Sequence, residues 1–471
     1  MFSQLKRLGA DSLLYAFMNV GTKLIAFILF PLYAHYLEKE SLVGMLQMVD
    51  TTVSMLTFLV IFGTDSALAY YYFEYKDKDT REKYVRSVMT FRLSIVVLLF
   101  AVFLIGGDWL SALILESAGY SQLFYIALGT LCLDTIITLV LTILRYEFHT
   151  KRVVFTTIGK MLLIAVVSVL FLMFVWTSLE GILVARLVSV AIIVLLLIKP
   201  VGVYLKPLYD KAIVKKISVS AAPLVPASLA FWIIANANNF FIRAYGTLDD
   251  VGIYGTAIKF ATFITLLTSG IQLAWRPFSM SLKDKKDSPQ LFATLYAAFL
   301  IIGSFGVLAL ATFMPWIILV MPDNFRIAFQ YVAPISIATF LSFYYMIVST
   351  GIFYSKQTKH ISIAFGIAAI VSVALNFVFV PYLNIWGTVI SYIAAYCIAL
   401  FMVFRKSQKL YYVPFSGIKM GWTILWLIAA TLGIVYIQLH DLNSWLILGV
   451  WLVFILLVLL VRMDKYFVKR K

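Results

Sequence analysis

Charge is scarce in this chain of 471 residues. Asp, Glu, Lys and Arg together make up 13% of the sequence, hydrophobic residues make up 63%, and the mean hydropathy is +0.97. Soluble globular domains carry about 25% charged and about 45–50% apolar residues. The composition therefore excludes a soluble enzyme, a disordered chain and a secreted disulfide scaffold, and it predicts a polytopic membrane protein.

Cysteine and nucleotide-binding motifs are also scarce. The two cysteines, Cys132 and Cys397, lie inside apolar runs and indicate neither a disulfide framework nor a metal site. The sequence contains no Walker A motif, so we expect no ATP hydrolysis by this chain. We predict a protein that is not an enzyme and that has no catalytic residues, metal or cofactor.

Long apolar runs are abundant, and they predict an all-α membrane protein with about 14 transmembrane helices. The runs are too long and too uniformly apolar to be the strands of a membrane barrel. The predicted spans are 12–34, 42–66, 87–106, 121–144, 156–176, 181–198, 218–242, 251–275, 290–312, 331–354, 361–380, 385–404, 418–438 and 444–461.

Basic residues favour one side of the predicted topology. Of the 38 Lys and Arg residues, 30 fall in segments on the same side as the N-terminus, five fall inside spans, and only Lys39, Arg243 and Arg326 fall on the opposite side. Cytoplasmic loops carry the excess of Lys and Arg. The bias predicts cytoplasmic termini, and it explains the net charge of +16 by membrane orientation rather than by nucleic-acid binding. The longest external loop, 313–330, is apolar and is predicted to lie in the membrane interface.

An internal repeat relates the two halves of the chain. The sequence around Gly44 matches that around Gly252, and Thr150-Lys151 matches Thr358-Lys359, both at an offset of 208 residues. Equivalent spans begin on the same side, so the repeat is parallel. The repeat predicts two six-helix lobes, 1–205 and 206–410, followed by two additional spans and a basic tail over 411–471.

The sequence resembles the polysaccharide flippases of the multidrug/oligosaccharidyl-lipid/polysaccharide exporter superfamily, in particular the O-antigen and capsule repeat-unit (Wzx-type) branch. The segments that carry the resemblance are NANNFFIRAYGTLDDVGIYGTAIKF at 236–260, AWRPF at 274–278 and PLYAHYLEKESLVGMLQ at 31–47. Members often have an acidic residue in the stretch that corresponds to 236–239, which here contains only Asn as its polar residues; this departure puts an ion-coupling role for the stretch in doubt.

The resemblance implies two lobes around a central cavity and transport of a polyprenyl-pyrophosphate-linked oligosaccharide to the outer leaflet of the bacterial cytoplasmic membrane. Membrane lipids, a polysaccharide polymerase and glycosyltransferases are the implied partners. Three alternatives stay open: a multidrug or cation antiporter, a peptidoglycan-precursor flippase, and a membrane glycosyltransferase or polymerase. The short external loops argue against the last of these.

Charged residues inside the spans are the candidate functional residues, because a charge at the bilayer centre costs at least about 2.5 kcal/mol on insertion scales. Depth along helical hairpins predicts two ion pairs, Lys23 with Asp50, near Asn19, and Asp65 with Arg92.

Cations without an evident acidic neighbour in the sequence point to an anionic substrate. Lys259 and Arg186 are predicted to contribute to a substrate-binding cavity with Lys23, Asp50 and Asn19. Lys is a compact point charge that binds and releases phosphate. A further mid-span acid, Asp134, is a candidate for coupling or for neutralising Arg186, Lys23 or Lys259, and Lys160 is predicted to extend to the cytoplasmic interface.

Overall fold

A computed structural model describes residues 2–222, 225–283 and 285–466. Over these residues the chain is helical throughout, with short connections. In the first half the helices are α1 (Phe2–Leu37), α2 (Glu40–Ile61), α3 (Thr64–Glu74), α4 (Lys78–Leu115), α5 (Ser121–Tyr146), α6 (Thr150–Leu170), α7 (Leu179–Leu196), α8 (Ile198–Leu205), α9 (Lys211–Ala221) and α10 (Val225–Asn236).

The second half continues in the same way. Its helices are α11 (Asn238–Tyr245), α12 (Leu248–Ala261), α13 (Phe263–Ser281), α14 (Ser288–Ile317), α15 (Phe329–Val348), α16 (Thr350–Tyr354), α17 (Lys359–Leu383), α18 (Ile385–Leu410), α19 (Gly417–Leu439) and α20 (Trp445–Leu460). Short 3₁₀ segments follow α14, at Ile318–Val320 and Asp323–Ala328, and a π-helical turn, Phe171–Val175, follows α6.

The helices confirm a multi-pass membrane protein. Among the described residues, 11 helices are long and apolar enough to cross a bilayer, and the number reaches 13 if each of two bent helix pairs is one span. The last predicted span, 444–461, corresponds to α20, which has 16 residues and is shorter than the roughly 20 that a perpendicular span requires. The total of 14 therefore stays a prediction.

Among the described residues, two consecutive helix pairs are bent and one candidate span is interrupted. The α9–α10 pair bends by 59°, and the α12–α13 pair bends by 42°. At the second bend, the Thr262 hydroxyl donates to the carbonyl oxygen of Lys259 at 2.5 Å, as hydroxyl side chains do where a helical bond is lost. The interruption separates α2 from α3 at Phe62 and Gly63, which both have positive φ angles.

Proline and glycine residues inside the apolar runs predict interruptions of three spans, at Gly21 and Pro31, at Pro223 and Pro226, and at Pro334. The first of these is absent, since α1 continues through Gly21 and Pro31. A proline removes only one main-chain hydrogen bond, and membrane helices tolerate this when neighbouring groups compensate. The predicted interruption at Pro223 lies outside the described residues. Pro334 also lies within a continuous helix, α15.

The chain forms two compact units. The N-terminal unit comprises Met1–Trp232 with Thr247–Gly252, and the C-terminal unit comprises Ile233–Gly246 with Ile253–Lys471. In the N-terminal unit, α5 packs against α4 and α7, and α6 packs against α1 and α7. In the C-terminal unit, α17 and α18 form a packed hairpin, α15 packs against α14 and α18, and α19 packs against α14 and α20.

The repeat seen in the sequence is also visible in the helix boundaries. Helix α2 begins at Glu40 and α12 at Leu248, while α5 begins at Ser121 and α15 at Phe329, in both cases 208 residues apart. Within the N-terminal unit, the first turn of α12 crosses α2 so closely that a Cβ atom on Gly44 would overlap the carbonyl oxygen of Leu248. Glycine at 44 is therefore required by a close approach of two helix backbones.

Candidate functional site

The first charged pair of the N-terminal unit joins α2 to α7. Arg186 Nη1 contacts Asp50 Oδ1 at 2.6 Å, and the Arg186 guanidinium carbon lies 5.7 Å from the ring centre of Tyr33 on α1. Tyr33 is buried, and its hydroxyl donates to Ser168 Oγ at 2.9 Å. The guanidinium is thus held by a carboxylate and an aromatic ring, which are both favourable partners for a cation.

This pair corrects the predicted partner of Asp50. The Lys23–Asp50 prediction is wrong, because the carboxylate is held by Arg186, while Lys23 has an exposed side chain on α1. The depth of a residue along a hairpin gives its height in the membrane but not the direction in which its side chain points around the helix. Asn19 is half-buried on α1, and its carbonyl oxygen accepts a hydrogen bond from the Thr22 hydroxyl.

The second pair joins α5 to α6. Lys160 Nζ contacts Asp134 Oδ1 at 2.8 Å. The prediction that Lys160 extends to the cytoplasmic interface is therefore wrong, and the partner of Asp134, which the sequence left open, is Lys160 rather than another cation. Both residues lie in the middle of their helices, about equally far from the short connection between α5 and α6, so depth along this hairpin would have aligned them as it aligned Asp65 with Arg92.

The third pair, Asp65 with Arg92, confirms the prediction. Arg92 Nη2 contacts Asp65 Oδ1 at 2.6 Å, and the Arg92 Nε and Nη2 atoms donate to Thr64 Oγ1 at 2.9 and 2.6 Å. Thr64 and Asp65 begin α3, directly after the interruption of the second span. Arg92 therefore fixes the start of α3 against α4.

The three pairs share one pattern of exposure. The cationic side chains are 22%, 22% and 0% exposed at Arg186, Lys160 and Arg92, whereas their carboxylate partners keep 35–38% of their side-chain surface exposed. A carboxylate inside the membrane cannot face acyl chains without a large cost. We conclude that the exposed edges of these carboxylates face water within the membrane span.

The pairs lie at successive depths along the N-terminal unit. Asp50 is ten residues from the start of α2 and Arg186 is seven residues from the start of α7, while Asp134 is 13 residues from the start of α5. At 1.5 Å per residue these positions are about 10–15 Å and about 20 Å from the same end of the unit. Asp65 lies beyond the end of α2 and is deeper still. The three pairs are thus spread over much of the length of the N-terminal unit.

Lys259, the remaining predicted cavity cation, lies in the C-terminal unit. It is half-buried near the end of α12, one turn before the bend at Thr262. The position places the cation beside a break in a span, and its role in substrate binding stays a prediction.

The sequence of the chain matches one known protein family. The sequence model of a family described as "Polysaccharide biosynthesis protein" matches residues 8–283, which is more than half of the chain. The chain belongs to this polysaccharide biosynthesis family. All the membrane-embedded pairs of this family member, and Lys259, lie within the matched region. No curated protein sequence matches the chain.

Solved structures show which fold this member of the polysaccharide biosynthesis family has. The structure described as "Lipid II flippase MurJ, inward closed conformation" is similar at a TM-score of 0.62 and 15% identity, over 96% of this chain and 99% of that one. An inward-facing multidrug resistance MATE family transporter of the MOP superfamily is similar at 0.63 and 16% identity, over 83% of this chain and 93% of that one. The chain therefore has the MurJ and MATE fold.

A neutral hydrogen-bond network occupies the interior of the C-terminal unit. Asn376 Nδ2 donates to Asn238 Oδ1 at 3.2 Å, Asn238 Nδ2 donates to the Tyr254 hydroxyl at 3.1 Å, and the Thr388 hydroxyl donates to Asn376 Oδ1 at 3.2 Å. These four residues are buried. The Asn residues at 236–239 stand out in the sequence but their network partners do not, because Asn376 lies 138 residues from Asn238 on α17 and neither Asn376 nor Thr388 on α18 carries a charge.

A cation–aromatic cluster joins α9 to the end of α3 within the N-terminal unit. Lys216 Nζ donates to the Tyr75 hydroxyl at 3.0 Å and lies 4.5 Å from the ring centre of Tyr71. Hydrogen bonds with Tyr84 and Lys216 lower the pKa of Tyr75. Tyr71 and Tyr75 thus hold a basic side chain of α9 against the end of α3.

Proposed function

We propose that the chain is a flippase that moves a polyprenyl-diphosphate-linked oligosaccharide across the bacterial cytoplasmic membrane by alternating access. The observation that carries this proposal is the Asp50–Arg186 pair, in which a mostly buried guanidinium holds a carboxylate that is exposed on its other edge. A cation held in this way is kept charged within the membrane and is close to water.

The proposed role of the Asp50 carboxylate is to occupy the anion-binding side of the Arg186 guanidinium until substrate binds. Arg presents a planar fork of N–H donors that binds phosphate oxygens in pairs, as it binds carboxylates. A diphosphate with more than one negative charge competes with Asp50 for Arg186, and Asp50 returns when the substrate leaves. This exchange keeps the Arg186 guanidinium paired at every stage, and the displaced Asp50 carboxylate has an exposed edge that water can contact; a buried charge left unpaired would cost several kcal/mol.

Lys259, in the C-terminal unit, is proposed to bind an anionic group of the substrate. Asp134–Lys160 and Asp65–Arg92 are proposed to form, with Asp50–Arg186, a polar surface along the N-terminal unit. Arg92 is proposed to have a structural role, because it is fully buried. Since the sequence has no nucleotide-binding motif, the proposed driving force is an ion gradient, the membrane potential or consumption of the product on the far side.

The proposed orientation has both termini in the cytoplasm. It is supported by the 30 basic residues on the side of the N-terminus against three on the other side. Glycosyltransferases that build the substrate and a polymerase that uses it are the proposed functional partners, because a lipid-linked repeat unit has to be made on one side of the membrane and consumed on the other.

A second candidate is a multidrug antiporter, and two observations favour it. The fold is shared with a multidrug resistance MATE family transporter, and three mid-span carboxylates keep exposed edges that a cationic compound could contact. In that case the acids, rather than their basic partners, would bind substrate. A peptidoglycan-precursor flippase is chemically close to the first proposal and differs in the saccharide.

The two proposals are separated by substituting each member of the first pair. Surface glycan is measured in a strain that lacks its own repeat-unit flippase and expresses Arg186→Gln, Asp50→Asn or the control Arg152→Gln, whose side chain is exposed at the start of α6. The flippase proposal predicts a large loss of surface glycan with Arg186→Gln and none with Arg152→Gln. Unchanged glycan with Arg186→Gln, together with dye resistance that depends on Asp50, would support the antiporter instead.

A further inference from the structure

A cavity of about 490 Å³ lies in the C-terminal unit, on the side of the unit predicted to be external. It is enclosed by the last turns of α14 and α19, the first turns of α15 and α20, and the 3₁₀ segments of the apolar loop 313–330. The volume falls within the range of about 300–1,000 Å³ that is typical of small-molecule sites. The transport proposal above makes no use of this cavity.

A proline and a glutamine build the wall between α14 and α19. Pro315 has no main-chain N–H, so the carbonyl oxygen of Ala311, four residues earlier, loses its helical donor. Gln438 on α19 replaces that donor, because its Nε2 atom donates to the Ala311 oxygen at 3.0 Å and to the Thr312 oxygen at 3.2 Å. The two helices are thereby joined by side-chain hydrogen bonds just inside the cavity.

The interior of the cavity is apolar. Its walls include the side chains of Ile318, Phe329, Ile437 and Ile447, of which Ile318, Ile437 and Ile447 are buried in the unit. The large exposed indole of Trp316 also lines the cavity, and Trp445 begins α20 beside it with 75% of its surface exposed. Exposed Trp residues mark the level of lipid headgroups in membrane proteins.

Two opposite charges line the same cavity. Arg326 donates from Nε to the Met321 carbonyl oxygen and from Nη1 to Asp323, while its Nη2 atom has no hydrogen bond among the described residues. Asp441 follows α19 in a backbone conformation with positive φ and an exposed side chain. Within the part of the chain that the structure describes, one unpaired guanidinium edge and one unpaired carboxylate therefore border a single, mostly apolar space.

We propose that this cavity binds an outer-leaflet phospholipid whose headgroup carries both a phosphate and a primary amine. The phosphate meets the free edge of Arg326, the ammonium meets Asp441, and the start of an acyl chain lies against Ile318 and Ile447. The observation that selects this class is charge complementarity: an anionic phospholipid without an amine pairs its phosphate with Arg326 but brings no cation to the Asp441 carboxylate. The site is independent of the transported substrate.

The test measures lipid binding to the purified protein by native mass spectrometry, with phosphatidylethanolamine and phosphatidylglycerol of identical acyl chains. The wild type should bind phosphatidylethanolamine several-fold better than phosphatidylglycerol. Arg326→Gln should weaken both lipids by about tenfold, as expected for loss of a charge-assisted contact. Asp441→Asn should remove the preference between them, because only the amine distinguishes the two headgroups.

Two further variants keep the result interpretable. Asp323→Asn removes an exposed partner of Arg326 without touching the cavity, and it should leave binding unchanged or strengthen it. Leu442→Trp fills the cavity without changing charge, and it should weaken both lipids. Equal binding of the two lipids by the wild type, or an intact preference in Asp441→Asn, would overturn the proposal; so would unchanged binding with Leu442→Trp.

Discussion

The interaction between Asp50 and Arg186 is predicted to contribute measurably to the stability of the N-terminal unit. The perturbation is a double-mutant cycle made of Asp50→Asn, Arg186→Gln and the two together. The pair has a donor–acceptor distance of 2.6 Å, and its side chains are 38% and 22% exposed. Exposed ion pairs contribute about 0–1 kcal/mol, and removing one partner of a fully buried pair costs about 3–5 kcal/mol. The intermediate burial predicts a coupling free energy of about 1–3 kcal/mol.

The two single variants should differ. When Arg186 is replaced, the exposed edge of Asp50 can contact water, which limits the loss. When Asp50 is replaced, the guanidinium stays charged, because Arg does not deprotonate in proteins. Asp50→Asn should therefore lower the free energy of unfolding more than Arg186→Gln, and the double variant should recover part of the loss.

The assay is equilibrium unfolding in mixed micelles, followed by tryptophan fluorescence. A matched control is the Asp323–Arg326 pair, which has the same 2.6 Å distance but side chains that are 87% and 41% exposed. Its cycle, with Asp323→Asn and Arg326→Gln, should give a coupling of at most about 1 kcal/mol. A coupling for Asp50–Arg186 no larger than that of the control pair would refute the burial argument.

Three other predictions follow from the structure. Gly44→Val should destabilise the protein by about 1–3 kcal/mol, because the new side chain meets a main-chain carbonyl of α12 that cannot move aside. Gly21→Ala, where a Cβ atom meets nothing within 4 Å, should be neutral or stabilising. Equal unfolding of the two variants contradicts this account. Lys259→Glu should abolish surface glycan at normal protein level and Lys259→Arg should retain part of it, because the sign of the charge decides the contact with a diphosphate; normal glycan with Lys259→Glu rules out that contact. In a cysteine-free background, Ala118→Cys should react with an impermeant thiol reagent in intact cells and Lys286→Cys should not, and the reverse pattern overturns the proposed orientation.

The positions of the spans could be predicted closely from the sequence. The predicted span 385–404 and the observed α18 (Ile385–Leu410) begin at the same residue, and the predicted span 418–438 differs from α19 (Gly417–Leu439) by one residue at each end. Hydropathy determines these limits, because every main-chain polar group in the bilayer has to be satisfied within a helix. The bend at Thr262 was not predicted, since neither proline nor glycine marks it.

The ion pairs were harder to predict than the spans. Asp65 and Arg92 lie on α3 and α4, which one short connection joins. The chain order therefore gives both the depths of the two residues in the membrane and the contact between their helices. Asp50 has helices on several sides, and the choice between Lys23 and Arg186 depends on how those helices are rotated, which apolar composition does not specify. The Asn238–Asn376 contact could not be predicted from the sequence, because both residues are neutral and distant in sequence.

The most direct test of the central claim is translocation by purified protein in liposomes. A short-chain polyprenyl-diphosphate-linked saccharide is placed in both leaflets, and the fraction that an external glycosidase can reach is followed with time, with the monophosphate-linked analogue in parallel. The account predicts that the wild type makes the whole diphosphate pool accessible, that Arg186→Gln leaves about half inaccessible, and that the monophosphate moves more slowly. A wild type that leaves half of the diphosphate pool protected, or an Arg186→Gln variant as fast as wild type, would contradict it.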